Sequence, residues 1–517
     1  MRAKAMWKVV GAVLVLGCLV AVAAADVKLP GVFGDHMVLQ RDLPVPVWGW
    51  ADPAEAVTVT LAGQSKTAAA DAGGKWSLKL DKLTAGGPYE LVVEGKKNTL
   101  RCGDVLVGEV WLASGQSNME MGVGGVMNRE AEIAAADFPK LRMFTVARVP
   151  APQPQSDCKG QWQVCNPKCV AWFSAAGYFF GRELQKQLGV PVGIIHSSWG
   201  GTPIQTWTSL AVHEAVPELR GMAEALQRDT ANFASGQAQA DFQKRLADWE
   251  AAAAKAKAAN QPFKAGKPQP PEEPRARAGS PAALYNGMIA PLVPYAIRGA
   301  IWYQGESNAG SPIYLIQLKA MIESWRADWK QGDFPFISVQ LPNFMEPQKQ
   351  PSEPVGNWPL TREQFLKALT EIPNTGMAVT IDIGEARDIH PHNKQEVGRR
   401  LAQWALAKTY GKDCVACGPL LKASRTEGQK IVLEFDYVGD GLAAREGGKL
   451  KGFAIAGADK KFVWADAQIV GKTVVVSSPE VKEPAAVRYA WANNPDCNLI
   501  NQAGLPASPF RTDDWGR

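Results

Sequence analysis

The pattern of apolar residues changes twice along this chain, and these changes constrain the fold more than any other feature of the sequence. From Asp26 to about Cys102, apolar and polar residues alternate in short segments separated by Gly, Pro and Asp, which predicts antiparallel strands. From Asp104 to about residue 411, apolar strands alternate with helical segments, which is typical of a parallel sheet covered by helices. After Lys412 short strand patterns return. The sequence therefore predicts an α/β domain between two β-rich regions.

Together with an uncharged apolar segment at the N-terminus, these two changes divide the chain into four parts. Residues 1–25 have the pattern of a signal peptide, 26–103 of a small β-sandwich or jelly roll, 104–411 of the α/β domain, and 412–517 of a β-rich module. The α/β domain is interrupted at about 212–281, where an Ala-rich, charged segment of helical spacing runs into a Pro- and Lys-rich stretch. We interpret this interruption as a helical insertion.

Strands and helices alternate within the α/β domain. The predicted strands are Val105–Ala113, Val192–His196, Ala300–Tyr303, Phe336–Gln340 and Met377–Ile381. The predicted helices are Ala175–Leu188, Tyr314–Trp329, Arg362–Glu371 and Lys394–Tyr410. Functional residues of such folds lie in loops after the carboxyl ends of the strands. Polar side chains just beyond these strands are therefore the first candidates for a site.

The first 25 residues predict export. A basic start precedes an uncharged run from Val9 to Ala25 that ends in three alanines, which suits cleavage by signal peptidase. Lipid attachment at Cys18, within a weak lipoprotein-type box, is an alternative. We expect a periplasmic or extracellular protein with no membrane span once the leader is removed.

Loss of the leader also changes the charge and the cysteine balance. Without Arg2, Lys4 and Lys8 the formal charge falls from +5 to about +2, too close to neutral to indicate a nucleic-acid partner. An exported chain can form disulfides. The remaining cysteines are Cys102, Cys158, Cys165, Cys169, Cys414, Cys417 and Cys497. Because no histidine lies within a few residues of the cysteine clusters, we expect structural disulfides rather than a zinc site.

The segment after the first α/β strand can supply a nucleophile. A buried strand ends in Ser114-Gly115, and Gln116-Ser117-Asn118 follows where the chain must turn. A hydroxyl at a strand end, with its own backbone N–H aimed at the reacting carbonyl, suits a serine nucleophile. Met119 replaces the last glycine of the Gly-x-Ser-x-Gly elbow. The alternative is an ordinary turn with a serine that caps a helix.

Histidine is scarce, so few residues can act as a general base. The candidates are His36, His196, His213, His390 and His392. His390 and His392 share a loop between the last α/β strand and a long helix, and Asp388 lies two residues before His390. A carboxylate so placed can hold an imidazole in the tautomer that accepts a proton. Alternatively, His390 fills a turn while Asn393 caps the helix.

Two other strand-end segments offer donors for an oxyanion hole. Gln304 and Asn308 carry side-chain amides, and Gly200-Gly201 leaves the backbone free to approach a ligand closely. The same region contains rival residues, since Ser307 is a second candidate nucleophile and Glu306 would suit the acid of a glycosidase. Because all these segments lie at strand ends of one predicted sheet, they can converge.

Taken together, these segments resemble the sialate O-acetylesterase family, within the SGNH-type esterase superfamily. The matching motifs are Gly115-Gln116-Ser117-Asn118-Met119, Ser198-Trp199-Gly200-Gly201-Thr202, Trp302-Tyr303-Gln304-Gly305-Glu306-Ser307-Asn308 and Asp388-Ile389-His390-Pro391 with Asn393-Lys394. The resemblance covers almost all of the mature chain. It implies a three-layer α/β/α domain with a parallel sheet, and hydrolysis of O-acetyl esters on sugars without a metal or organic cofactor.

The resemblance also implies roles for individual residues. Ser117 would be the nucleophile, His390 the base and Asp388 its partner. The oxyanion donors would be the N–H groups of Ser117 and of Gly200 or Gly201, with the amides of Gln304 and then Asn308. Substrate contacts are expected from Gln116, Asn118, Trp199, Glu306 and Arg387. Such enzymes commonly place the acid three residues before the histidine, where this chain has Arg387, so a Ser–His dyad remains an alternative.

Other functions stay open from the sequence alone. The acetylated substrate can be xylan or another polysaccharide instead of sialic acid, although Arg387 would suit a sialate carboxylate. A glycosidase using Glu306 is a different reaction class. The β-rich regions and 18 tryptophans would also suit a carbohydrate-binding protein without catalysis. Release of acetate, of reducing sugar, or of neither distinguishes these classes.

Overall fold

A computed structural model describes residues 26–352 and 357–515 of the chain. The predicted signal peptide, residues 1–25, lies outside the described residues. In the described ranges, no helix combines the length and the apolar character that a membrane crossing requires.

The N-terminal region consists of short strands that follow the alternating apolar pattern. They are β1 (Val38–Gln40), β2 (Val45–Trp50), β3 (Ala56–Leu61), β4 (Gln64–Ala69), β5 (Lys75–Leu80) and β6 (Gly86–Glu94). β3 pairs antiparallel with β4 and β6, and β2 pairs antiparallel with β5. Every second residue of β2 and β3 is buried, as expected for strands with one face toward a core.

One long strand joins this region to the α/β region. β7 (Thr99–Gly115) pairs with β6 and β1 as far as Gly108, and with strands of the α/β sheet from Glu109 onward. Every residue from Val105 to Gly115 is buried, as in strands covered on both faces. The predicted boundary between residues 103 and 104 therefore lies inside a continuous strand.

The α/β region contains a central, mostly parallel sheet, as the sequence predicted. Its other strands are β8 (Phe138–Thr145), β9 (Trp162–Cys165), β10 (Val192–Ser198), β11 (Gly299–Tyr303), β12 (Phe336–Val339) and β13 (Thr375–Ala378). The strand order is β13-β12-β11-β7-β10-β8-β9, and only the β8–β9 pair is antiparallel. The mixed α/β fold is thus confirmed, and β8 and β9 are strands that the sequence analysis did not predict.

Helices cover both faces of this sheet. The helices of the α/β region and its insertion are α1 (Ser117–Glu120), α2 (Arg129–Ala134), α3 (Ala175–Leu188), α4 (Leu210–Ala215), α5 (Pro217–Ala234), α6 (Gln237–Ala258), α7 (Tyr314–Trp329), α8 (Asn357–Glu371) and α9 (Lys394–Trp404). Phe180 of α3 packs on Trp111, with ring centroids 5.0 Å apart. Trp325 of α7 packs on Trp302, with ring centroids 6.0 Å apart. Trp302 is in register with Ser114, which is three residues after Trp111, so the rings of Trp302 and Trp111 lie on opposite faces of the sheet.

The C-terminal region is again built from strands. They are β14 (Leu420–Glu427), β15 (Lys430–Asp436), β16 (Leu442–Ala444), β17 (Phe453–Ala456), β18 (Val463–Trp464), β19 (Asp466–Val470), β20 (Thr473–Ser477), β21 (Ala486–Tyr489), β22 (Leu499–Asn501) and β23 (Phe510–Arg511). Arg362 of α8 fixes this region to the α/β sheet, because its buried guanidinium donates to the carbonyls of Leu341 and Pro342 and to those of Ala492 and Asn493.

A buried carboxylate lies where the N-terminal strands meet the α/β sheet. Glu109 of β7 is fully buried, and its carboxylate contacts Arg41 Nε at 2.5 Å and Arg298 Nε at 2.8 Å. The Gln40 amide donates to the same carboxylate at 3.1 Å. Buried charges of this kind are tolerated only when they are paired and hydrogen-bonded.

The expectation of disulfide bonds is wrong, because all seven cysteines of the described residues are unpaired. The thiols of Cys165, Cys169 and Cys417 lie next to backbone carbonyls instead, at 3.8, 3.2 and 3.2 Å. Burial raises the pKa of the Cys165 thiol to about 12, so it remains protonated at neutral pH and able to donate.

Candidate active site

The carboxyl ends of three neighbouring strands meet at one edge of the sheet. Gly115, at the end of β7, is in register with Ser198 of β10 and Tyr303 of β11. The loops that follow these strands therefore begin side by side. Gly115 has φ +141°, and a Cβ on it would lie 2.1 Å from the Tyr303 carbonyl oxygen, so only glycine fits there.

Ser117 and His390 are 273 residues apart in sequence and lie in contact. Ser117 begins α1 directly after β7, and His390 lies in the loop between β13 and α9. The distance from Ser117 Oγ to His390 Nε2 is 2.9 Å. The hydroxyl can donate to Nε2 when the ring proton is on Nδ1. This is the contact that a serine nucleophile and its general base require.

Asp388 supports His390 mainly through the backbone. Its Oδ1 accepts a hydrogen bond from the backbone N–H of His390 at 2.8 Å, but lies 3.4 Å from the ring nitrogen Nδ1. The second distance exceeds that of a good charge-assisted hydrogen bond. Both side chains are about two-fifths exposed, so water competes for the contact.

The contacting pair lies in an open cleft of about 400 Å³. The cleft is lined by Ser117, Glu120, Met121, Gly125, Asp388, His390 and His392. Sequence reasoning missed Glu120, which lies three residues after Ser117 and so on the same face of a helical turn. The helical spacing of Ser117 and Glu120 was the signal that could have placed Glu120 beside the nucleophile. His392, which the sequence offered as a candidate base on the same loop as His390, lies with its Nδ1 2.7 Å from Glu385 Oε1.

The two candidate glycines lie close to the nucleophile. A Cβ on Gly200 would lie 3.2 Å from Ser117 Cβ, so this backbone approaches Ser117 directly. The Gly200 N–H donates to Glu120 Oε2, and Glu120 Oε1 accepts from Arg148 at 2.6 Å. Gly201 has φ +74°, and no atom lies within 4 Å of where its Cβ would be. The carboxylate of Glu120 thus occupies one of the predicted oxyanion donors.

The amides of Gln304 and Asn308 connect two of the strand-end loops. Gln304 Nε2 lies 2.8 Å from Asn308 Oδ1 and 3.3 Å from the Thr202 carbonyl oxygen, and Gln304 Oε1 accepts from Tyr314 at 2.8 Å. Asn308 Oδ1 also accepts from the backbone N–H of Ile204 at 2.8 Å. Both amide hydrogens of Gln304 therefore have acceptors within the protein.

The other predicted substrate contacts are distributed around this centre. Gln116 is buried and accepts from the N–H of Ser307, at 3.2 Å, while Ser307 itself is exposed. Trp199 is half-buried, with the Arg148 guanidinium 5.5 Å from its ring centroid. Arg387 is exposed on the His390 loop.

The fully buried Asn118 and Lys394 form a group with the half-buried Glu306 next to the contacting pair. Asn118 Nδ2 lies 2.6 Å from Glu306 Oε1, and Asn118 Oδ1 lies 2.7 Å from Lys394 Nζ. Burial lowers the pKa of Lys394 to about 7 and raises the pKa of Glu306 above its usual value. The second oxygen of Glu306 is buried without a hydrogen-bond partner in the described residues. This carboxyl is therefore not presented to the cleft as a glycosidase acid would be.

Comparison with known proteins agrees with this architecture. A family model described as carbohydrate esterase, sialic acid-specific acetylesterase, matches residues 107–232 and 277–410. The sialate O-acetylesterase of Rattus norvegicus is 30% identical over 523 residues, which cover 92% of each chain. The Homo sapiens protein of the same name is 29% identical, over 94% of this chain and 93% of its own. The crystal structure of a carbohydrate acetylesterase from Xanthomonas citri superposes with a TM-score of 0.79 at 40% identity, and covers 95% of this chain and 100% of that one.

The sheet, its strand-end loops and these matches together define a carboxylic ester hydrolase. More specifically, the chain belongs to the carbohydrate esterase family of sialic acid-specific acetylesterases. The family resemblance predicted from four short motifs is thereby confirmed.

Proposed function

We propose that this hydrolase is a serine esterase that removes acetyl groups from sugar hydroxyls, with O-acetylated sialic acid as the first candidate substrate. The observation that carries the proposal is the 2.9 Å contact between Ser117 Oγ and His390 Nε2 beside an open cleft. The relatives named sialate O-acetylesterase support the choice of substrate. We also propose that residues 104–411 form an SGNH-type three-layer domain, with a sandwich before it and a β-rich module after it.

The first half of the reaction transfers the acetyl group to the enzyme. Ser117 Oγ attacks the acetyl carbonyl while His390 Nε2 accepts its proton. The carbonyl oxygen becomes an oxyanion that accepts hydrogen bonds from the N–H of Ser117 and from the N–H of Gly200 or Gly201. For Gly200 this requires the Glu120 carboxylate to give way to the oxyanion. Each such donor stabilises the transition state by roughly 3 kcal/mol.

The second half returns the enzyme to its starting state. His390 gives its proton to the departing sugar oxygen, which leaves as a hydroxyl, and Ser117 stays acetylated. Water then attacks the acetyl ester while His390 takes a proton from it, and His390 returns this proton to Ser117 Oγ as acetate leaves. Within this scheme Gln304 and Asn308 hold the loops in place, because the Gln304 amide already has acceptors in the protein. The scheme needs no metal or organic cofactor.

Acetate release from two substrates tests the proposed function. We expect release from O-acetylated sialic acid at a kcat/KM at least about tenfold above that from acetylxylan, a difference within reach of a few polar contacts. Reducing sugar is measured in parallel as a control for glycosidase activity, and none is expected. Faster release from acetylxylan would keep the esterase mechanism and replace sialic acid with a plant polysaccharide as substrate.

Replacing Asp388 by asparagine distinguishes a triad from a dyad. Because Asp388 Oδ1 lies 3.4 Å from the His390 ring nitrogen and both side chains are partly exposed, we expect kcat to fall by only about 10- to 100-fold. A buried triad aspartate typically costs about 10⁴-fold when it is replaced this way. Initial rates on a chromogenic acetyl ester provide the measurement, and a loss as large as that of His390→Ala would establish a full triad.

A further inference from the structure

We propose that Lys394, together with Asn118, is a positioning residue that holds the His390 loop against the turn carrying Ser117. The inference rests on the proposed Ser117–His390 mechanism and assigns a function to a buried group that this mechanism does not itself use. Neither side chain would touch the substrate, since both are fully buried.

The hydrogen bonds of these two residues enclose His390 from both sides. Asn118 directly follows Ser117, and its Nδ2 donates to the carbonyl of Ile389, the residue before His390, at 2.9 Å. Lys394 Nζ donates to the carbonyl of Pro391, the residue after His390, at 2.7 Å, and to Asn118 Oδ1 at 2.7 Å. The backbone on each side of the base is thus fixed to the residue next to the nucleophile.

Glu306 fixes the orientation of the Asn118 amide. Its Oε1 lies 2.6 Å from Asn118 Nδ2, so the amide nitrogen faces Glu306 and Ile389 while the amide oxygen faces Lys394. If the amide were reversed, its oxygen would face two acceptors and its nitrogen a donor. The network therefore has one satisfied arrangement, and a network of this kind specifies a unique local structure.

The location of Lys394 is costly for stability, which points to a function. A lysine with 0% exposure loses hydration, and it stands at the first residue of α9, where the helix dipole favours acidic side chains. Replacing a whole buried ion pair by well-packed apolar residues is often neutral or stabilising, so stability alone does not require buried charges. Packing alone therefore does not account for a lysine here, whereas the need to hold two acceptors beside His390 does.

The hydrogen bonds of Lys394 do not depend on its charge. The charged groups that act on it are Glu306 from the loop after β11 and Asp388 and Glu385 from the His390 loop, and its ammonium lies 5.3 Å from the Tyr303 ring centroid. A neutral amine keeps two N–H donors, which equals the number of its acceptors here. We therefore expect the loss caused by removing Lys394 to be the same factor at pH 6.5 and at pH 8.5.

The test replaces Lys394 with methionine, which has similar length but no donor. With p-nitrophenyl acetate as substrate, we expect kcat to fall by about 10- to 100-fold, as for a misplacement of about 1 Å in a catalytic group. KM should stay within about twofold, and Tm should fall about as much as in the control described next, because the change leaves the Pro391 carbonyl and the Asn118 amide oxygen without their donor. The rate at which a serine-directed phosphonate labels Ser117 should fall by the same factor as kcat, because labelling uses the same Ser117–His390 contact.

Arg326→Met is the matched control for loss of a buried cation. The Arg326 guanidinium binds the carbonyls of Phe334 and Asn374, which precede β12 and β13 at the opposite edge of the sheet. We expect this variant to have a lower Tm and an unchanged kcat. A second variant, Asn118→Asp, removes the donor to Ile389 and should also lower kcat. In the double variant Lys394→Met/Asn118→Asp, kcat should fall by no more than in whichever single variant has the lower kcat, because both residues act through one network.

The outcomes separate this inference from the proposed function. Wild-type kcat in Lys394→Met, with Ser117→Ala inactive, would overturn the positioning role and leave the esterase mechanism intact. An effect on KM alone would place Lys394 in substrate binding and would also overturn it. If Lys394→Met does not fold, Asn118→Asp decides the question by the same criteria. Turnover retained in Ser117→Ala would instead contradict the proposed function on which the inference depends.

Discussion

Ser117→Ala is expected to lower the turnover of an acetyl ester by at least about 10⁴-fold, because the variant lacks the atom that forms the bond to the acetyl carbon. His390→Ala should cause a loss of similar size, since a nucleophile and its base act as a unit. The measurement is acetate release under substrate saturation, with circular dichroism to confirm that each variant is folded. Residual activity would come from the remaining oxyanion donors and from substrate binding.

Ser307→Ala is the matched control for this prediction. Ser307 also follows a strand of the same sheet and a glycine, but it is exposed, while the imidazole of His390 contacts Ser117. We expect this variant to retain turnover within about twofold of wild type, a change of less than about 0.5 kcal/mol. The reverse result, with Ser117→Ala active and Ser307→Ala inactive, would transfer the nucleophilic role to Ser307.

Glu109→Ala is expected to give the largest loss of stability among single substitutions at the junction of the first two regions. The change removes a fully buried carboxylate and leaves Arg41 and Arg298 without it. Breaking a buried ion pair in this way costs about 3–5 kcal/mol. We expect the loss of stability to lie near the lower end of this range, because the side chains of Arg41 and Arg298 remain 24% and 23% exposed and can be partly hydrated. Urea unfolding at neutral pH provides the free energy of unfolding.

Asp81→Ala is the control for this second prediction. Asp81 also contacts a cation, Lys66, at 2.7 Å, but its side chain is 78% exposed. Exposed pairs contribute less than about 1 kcal/mol. Equal destabilisation by Asp81→Ala and Glu109→Ala would show that burial of the Glu109 carboxylate has no special cost. Glu109→Gln should fall between the two, because it keeps the volume and loses the charge.

Much of the α/β region could be predicted from the sequence, because its elements have strong local signals. The helices at 175–188 and 314–329 have the predicted bounds, since apolar residues recur at helical spacing and Ser174 caps the first of them. β4 has no such signal, because it is exposed at every second position and carries only polar and alanine side chains. β8 was missed because Pro139 and Lys140 interrupt its apolar run.

At the site, sequence patterns predicted which loops converge but not how the side chains inside them pair. Parallel strands end at one edge, so a contact between Ser117 and His390 follows from topology. The acceptors of Gln304, the carboxylate bound to Gly200 and the amine that reaches Asn118 depend on packing between distant segments. The prediction of disulfides from the cysteine clusters was wrong for the same reason, since proximity in sequence does not bring sulfur atoms together.

The unbroken course of β7 limits how the first region can take part in substrate entry. Its 17 residues span about 56 Å and are held laterally by β6 and β1 at one end and by β10 and β11 at the other. A hinge near residues 103–104 would have to break pairing along this strand, so the N-terminal strands cannot swing over the cleft as a lid. For the same reason the first region cannot be removed cleanly at that point, because Val105 to Gly108 of this strand would lose the neighbours that pair with them.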